Sequence, residues 1–263
     1  MKKEKTELHY AVQQYNKSKL ELLLTQMTQE EINQVDENGD TALSVATIKG
    51  YKDAVELLLK HENIKINQVD ENGEIALHWA ARLGYKDVVE LLLKHEDIDV
   101  NLANNYGWTA LHLSILKNDK DIVELPLDHA HVNALKLLLK HENIDVVELL
   151  LKHENIDINL ADKYGFTALH FGVLEGAMDI VELLLQNNNI DVNLTDQNLK
   201  TALHLAAEIV DTDIVKLLLD TMTPEAINKI DKDGKTAFNI AAISHHDNIL
   251  NLFIESGKCD LNA

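Results

Sequence analysis

Thirteen histidines and forty-four carboxylates are the side chains of this 263-residue chain that could ligate a metal or move a proton. A zinc site needs three or four His, Cys or carboxylate ligands at characteristic spacing. An acid–base pair needs groups held within hydrogen-bond reach of one substrate. The spacing of the histidines argues for neither. His78, His112, His170 and His204 each occupy the same place in a recurring string, where an imidazole would hydrogen-bond neighbouring threonines and backbone. His61, His95, His141 and His153 recur near the ends of leucine-rich segments, where a cationic side chain suits the negative end of a helix dipole. His129-Ala130-His131 and His245-His246 are the irregular clusters, and no Cys or carboxylate set accompanies them at ligand spacing. The carboxylates read as helix caps and solvated faces. No glycine-rich phosphate loop and no nucleophile motif occurs. No catalytic residue, metal or cofactor is expected. The single cysteine, Cys259, has no intramolecular disulfide partner and is expected to be a small packed or exposed thiol.

The formal net charge of -20 and a sequence pI near 4.9 disfavour nucleic acid and anionic membranes as partners. No stretch has the length of a signal peptide core or a membrane span, so a cytoplasmic location is expected, with a host cytosol as the alternative for a secreted effector. A hydrophobic content of 46% is enough for an extended core, and two prolines, ten glycines and 5% aromatics favour helices over many short strands.

The elements that would position these residues repeat. Gly39, Gly73 and Gly107 stand 34 positions apart, and Gly165 and Leu199 repeat the interval. The string is clearest at Thr109-Ala110-Leu111-His112 and Thr167-Ala168-Leu169-His170, and the later Asp179 to Leu185 reads Asp-Ile-Val-Glu-Leu-Leu-Leu. Thr41, Thr109, Thr167, Thr201 and Thr236 suit the N-cap of a first helix. Asp53, Asp87, Asp121, Asp179, Asp213 and Asp247 would cap a second. Segments such as Ile98 to Gly107 then read as extended hairpin fingers. No such unit buries its apolar face alone, so stacking is obligatory.

These strings resemble the ankyrin repeat family, and the resemblance covers the whole chain. Ala42, Ala76, Ala110, Ala168, Ala202 and Ala237 stand where that family has proline. The implied fold class is all-α: an ankyrin-repeat solenoid of helix-turn-helix units with hairpin fingers, interrupted by a helical insertion. The expected organisation is a partial N-terminal repeat or cap over 1–35, repeats with the start of a third unit over 36–122, and an insertion over 123–146. The end of the third unit and further repeats fill 147–230, and a C-terminal repeat or cap fills 231–263. The insertion rests on three consecutive 12-residue blocks beginning at Val123, Leu135 and Val147, the last two nearly identical. One reading is a finger-less helical pair at 132–142 and 145–153, with Pro126 breaking the chain just before it. The other is a long projecting helix whose leucines mediate dimerisation.

In ankyrin-like proteins partners are held by finger tips and the exposed side of first helices, and the resemblance carries that role to matching positions. On the fingers these are Glu71, Glu74, Tyr106, Trp108, Tyr164 and Phe166. On the helices they are Leu83, Leu116, Lys117 and Leu174. The four aromatics are expected to be exposed and free of core duty, which would make them interface anchors, with Trp108→Ala sparing stability. Trp79 is expected in the core. Asn101, Asn159 and Asn193 resemble the site that asparaginyl hydroxylases use on ankyrin fingers, although an amide bridging finger backbones is the favoured explanation and is compatible with either outcome. The expected function is a scaffold that binds a protein partner on the concave finger and first-helix face, as a monomer. The alternatives are an array dimerising through the insert, and the targeting module of a longer protein or host-directed effector.

Overall fold

The computed structural model describes residues 5–116 and 143–260. The inserted pair at 132–142, the dimerising helix, Pro126, Lys117, Asp121, His129, His131 and His141 all lie outside the described residues. The chain divides into two compact units, one of Met1–Ser114 with Asp145–Ile156 and one of Ile115–Ile144 with Asp157–Ala263.

In the first unit the elements are α1 Glu7–Gln13, α2 Lys17–Leu24, α3 Gln29–Ile32, α4 Ala42–Ile48, α5 Lys52–Leu59, α6 Ala76–Arg82, α7 Lys86–Leu93, α8 Ala110–Ile115 and α9 Ile144–Leu151. The first helices begin where the threonines predict. Thr41 Oγ1 accepts the Ser44 N–H at 3.1 Å, and the Thr109 N–H donates to His112 Nδ1 at 3.1 Å. The alanines that follow leave room for close helix approach, and Ala42, Ala46, Ala76, Ala80 and Ala81 are buried. The second helices differ from expectation at their starts. Asp53 and Asp87 lie inside the first turn, and the N-cap residues Tyr51 and Tyr85 make no side-chain cap. These carboxylates act on the helix dipole and on the neighbouring repeat: Lys17 to Asp53 at 4.0 Å, Lys52 to Asp87 at 3.0 Å and Lys86 to Asp145 at 3.3 Å.

That ladder shows what α9 is. Its Asp145 meets Lys86 as Asp87 meets Lys52, and its Val146, Val147 and Leu150 are buried as Val88, Val89 and Leu92 are. The last of the three duplicated blocks thus supplies the second helix beside α7. Residues 116–143 separate it from α8, where residues 49–51 separate α4 from α5.

The second unit carries α10 Ala168–Leu174, α11 Met178–Leu185, α12 Ala202–Ile209, α13 Thr212–Thr221, α14 Pro224–Ile227, α15 Ala237–Ile243 and α16 Asp247–Ser256. Its core is built the same way, from Ala168, Leu169, Ile180, Val181, Leu184, Leu203, Ala206, Val215 and Leu218. Here Asp211 is a true N-cap, accepting the Ile214 N–H at 3.1 Å, and Lys258 Nζ donates to the Leu219, Asp220 and Met222 carbonyls at the C-terminal end of α13.

Two side-chain links join successive repeats. An asparagine amide donates to one backbone carbonyl of the next repeat and accepts a nearby N–H. Asn67 does so with Asp97 O at 2.6 Å and Asp99 N at 3.0 Å, Asn159 with Asn189 O at 2.7 Å and Asp191 N at 2.8 Å. Asn101 donates to Asn155 O at 2.6 Å. The bridging reading thus describes Asn101 and Asn159. The second link is histidine. His78 Nε2 lies 3.1 Å from Trp108 O, His170 Nε2 3.2 Å from Lys200 O and His204 Nε2 3.1 Å from Lys235 O. In each case Nδ1 accepts a backbone N–H at the helix start. Accepting at Nδ1 and donating at Nε2 requires the neutral ring. At His61, His95 and His153 each Nδ1 accepts the N–H two residues on.

Thr6 and His9, outside the recurring string of the sequence, open α1 in the same manner. The Thr6 N–H donates to His9 Nδ1 at 3.2 Å, and His9 Nε2 reaches Asp40 O at 2.9 Å. The signal was Thr6-Glu7-Leu8-His9, disguised by glutamate at the alanine position.

Candidate partner-binding face

Each finger is closed by one side chain. Oδ1 of Asp36, Asp70, Asn104, Asp162, Asp196 and Asp231 accepts two backbone N–H groups, two and four residues ahead, at 2.8–3.1 Å. Fingers then join backbone to backbone within each unit: the Asn105 N–H donates to Asn72 O at 2.9 Å, Gln197 to Tyr164 O at 2.9 Å and Lys232 to Asn198 O at 2.8 Å. The approach is close, since a Cβ on Gly165 would stand 2.8 Å from Asp196 Cα. The Asn105 and Gln197 amides add bonds to the Glu71 and Lys163 carbonyls, and the other tip side chains are left to vary.

The tips vary by unit. In the first unit Glu37, Asn38, Glu71, Asn72 and Asn105 are exposed, with Tyr106 at the threshold of exposure. In the second, Lys163, Tyr164, Gln197, Asn198, Leu199, Lys232 and Asp233 are exposed.

One step inward, where the finger meets the first helix, the expected contact residues turn out to be structural. Trp108 is buried, 7% exposed, its ring stacked on Tyr106 at 5.1 Å and its carbonyl accepting from His78. Residues on a finger lie against the neighbouring repeat, so finger aromatics do have core duty. Glu74 is 2% exposed. It forms a bidentate ion pair with Arg82 and accepts from Asn104 Nδ2 at 2.9 Å. Leu116 and Leu174 are likewise buried. Phe166 is half-buried, edge-on to His170 at 5.8 Å and 5.9 Å from Phe171. Of the expected contact residues, Glu71, Tyr106 and Tyr164 are exposed and Leu83 is partly so.

Trp79 errs in the other direction. It is half-exposed, donates Nε1–H to Asp70 at 3.3 Å and carries the Arg82 guanidinium 4.8 Å above its ring. Glu74, Arg82, Trp79 and Asp70 form one network on the first-helix side of the first unit. The second unit repeats the pairing with the charges exchanged, Lys200 Nζ lying 2.5 Å from Glu208.

Asp40 holds the position of Glu74 and Lys200 one finger earlier. Ile48 stands where their ion-pair partners stand, and Asp40 Oδ1 is buried without a hydrogen-bond partner. Desolvation, then Asp36, Asp70 and Glu74 nearby, raises its pKa to about 6. A carboxylate whose folded pKa exceeds its unfolded value is unfavourable above the folded pKa, and the penalty fades as pH falls toward the unfolded one. Asp40→Asn is therefore expected to add about 1 kcal/mol of stability at pH 8, discounted for partial exposure, and nothing near pH 4. Urea unfolding at the two pH values checks this; equal effects at both would remove the carboxylate from the account.

The profile described as "Ankyrin repeats (3 copies)" matches residues 2–70, 63–134, 125–196 and 188–263. The chain belongs to the ankyrin-repeat family. The crystal structure of the ankyrin repeat domain of Bcl-3, described as a unique member of the IkappaB protein family, is similar with a TM-score of 0.77 and 23% identity, covering 94% of this chain and 97% of that one. The crystal structure of EF0377, an ankyrin repeat protein, is similar with a TM-score of 0.66 and 25% identity, covering 82% and 97%. No curated protein sequence matches. Ankyrin repeats are protein-interaction modules, and the ankyrin array here has the fold of such a module. Among the described residues no three His, Cys, Asp or Glu side chains are placed to hold a metal ion, and no helix is long and apolar enough to cross a membrane.

Proposed function

We propose that this ankyrin array is a scaffold that holds a partner protein on the finger and first-helix side of its repeats, in an aqueous compartment such as the cytoplasm. One observation carries the reading. The finger frame is the same in every described finger, one Asp or Asn side chain closing two N–H groups, while the exposed tips differ from finger to finger, from Glu71 and Asn72 to Asn105 and Tyr106, Lys163 and Tyr164, and Lys232 and Asp233. Folding requires the frame and constrains the tips less, so the tips are where recognition chemistry is available. Glu71, Tyr106 and Tyr164 are the exposed members of this surface that the sequence had singled out.

The test is a photo-crosslinking amino acid placed at position 71 or 164 of the full chain, with position 90 on the half-buried outer side of α7 as control, in cells that express the protein. Crosslinks to one common protein from 71 and 164, absent from 90, are expected. Equal capture from all three positions, or capture from 90 alone, overturns the assignment of the face.

A further inference from the structure

The first unit shows once how one of its fingers holds a guanidinium. Arg82 Nη1 donates to Glu74 Oε2 at 2.7 Å and Nη2 donates to Oε1, while the guanidinium lies 4.8 Å above the Trp79 ring. Two parallel bonds to one carboxylate are what the planar fork of arginine is shaped to make. One finger earlier half of this arrangement is absent. Asp40 stands where Glu74 stands, but Ile48 stands where Arg82 stands. Asp40 Oδ1 is buried without a hydrogen-bond partner, and Lys5 acts on the carboxylate only through its charge. A buried oxygen with no donor costs stability, so folding alone does not account for a carboxylate at this position.

The surroundings say what would complete it. Fingers 36–41, 70–75 and 104–109 carry Asp36, Glu37, Asp40, Asp70, Glu71 and Glu74 and no lysine, arginine or histidine. Counting Lys5, Lys49 and Arg82 of the adjoining segments leaves six carboxylates against three cations, and Arg82 is already paired with Glu74. Glu37 and Glu71 are exposed and belong to no ion pair among the described residues. Fingers 162–167, 196–201 and 231–236 are balanced instead, with Asp162, Asp196, Asp231 and Asp233 against Lys163, Lys200, Lys232 and Lys235. A cationic ligand is therefore attracted to the molecule at large by its net charge of -20 and held preferentially at the fingers of the first unit.

We propose that fingers 36–41 and 70–75 bind an arginine-containing basic segment of a partner protein, one guanidinium of which pairs with Asp40 as Arg82 pairs with Glu74, while Glu37 and Glu71 meet further cations of the segment. This rests on the scaffold reading and names the partner's chemistry at one part of that face.

The test is selection of a random-peptide display library on the immobilised full chain at pH 8, above the Asp40 pKa of about 6. Peptides of net positive charge containing arginine are expected to be enriched. One of them, labelled and measured by fluorescence polarisation, is expected to bind more weakly in high salt and roughly tenfold more weakly to Asp40→Asn. Ile48→Arg is the discriminating variant, because it supplies from within the chain the cation that the partner would bring. Its Tm is expected to rise while peptide binding falls roughly tenfold. Ser244→Arg adds the same charge at an exposed position of the second unit, and its binding is expected to match the wild type. Unchanged binding in Asp40→Asn, a loss in Ser244→Arg equal to that in Ile48→Arg, enrichment of acidic or uncharged peptides, or no enrichment overturns the proposal. Acidic peptides together with one common protein crosslinked from 71 and 164 would do so while leaving the scaffold reading intact; no enriched peptide and no common crosslink end both readings.

Discussion

Replacing Trp108 with alanine is expected to destabilise the protein by about 3–5 kcal/mol, the range for truncating a buried aromatic side chain. The side chain is 7% exposed and stacks on Tyr106, and its backbone N–H and carbonyl tie it to Asn104 and His78. Truncation opens a cavity between finger and helix and loosens the carbonyl that His78 uses to join the two repeats. Tyr106→Ala removes only a half-exposed stacking partner and is expected to cost about 1 kcal/mol. Urea unfolding of the two variants decides the matter. A Trp108→Ala loss below about 1 kcal/mol would return this residue to the binding surface.

Stability is expected to fall as the solution is acidified below neutrality, and His170→Asn should flatten that fall. His170 is buried, and desolvation lowers its pKa from 6.5 to about 4. Burial also lowers His78 and His204. A base whose folded pKa lies below its unfolded value contributes fully above the unfolded one, so His170 loses stability as pH falls from 6.5 toward 4, by up to about 1.4 kcal/mol per pH unit, and His78 and His204 act in the same direction. Geometry gives the reason: a proton on Nδ1 would point at the Thr167 N–H, 3.2 Å away. The last repeat supplies the replacement, since Asn239 Oδ1 accepts the Thr236 N–H at 3.0 Å in the histidine's place. His170→Asn keeps this cap and loses the bond to Lys200 O. It should therefore be less stable than the wild type by about 1 kcal/mol at pH 7.5 and lose less between pH 7.5 and 5.5. Denaturation midpoints across that interval measure both slopes; parallel curves would clear His170 of the effect.

The repeat, its helices and the threonine caps were legible in the sequence because each is a local pattern. Threonine before Ala-Leu-His signals a helix start whatever surrounds it. Exposure was legible only in part, because it is settled by the neighbouring repeat. Trp108 and Glu74 look like finger-tip residues in their own repeat; a histidine and an asparagine or arginine thirty or eight residues away make them interior. Trp79 looked like a core residue since its counterparts Val45 and Leu113 are buried, but the indole is too large for the site and takes its N–H to Asp70 instead. Thr6 and His9 could have been found by dropping the requirement for alanine between them. The choice of Asp145 over an earlier copy as the start of a second helix needed Lys86, which no pattern within the duplicated blocks contains.

Helix α9 has a kinetic consequence. The other second helices follow their first helices after a few residues and form by local contact, but α9 reaches its seat beside α7 only after residues 116–143 have been traversed. A contact across that sequence separation is less local than one across three residues and is expected to form later. The repeats before it and those after it each have short connections and can nucleate by themselves. The repeat made of α8 and α9 is thus expected to be the last to close during folding. Substitutions such as Val147→Ala should speed unfolding and leave the refolding rate nearly unchanged.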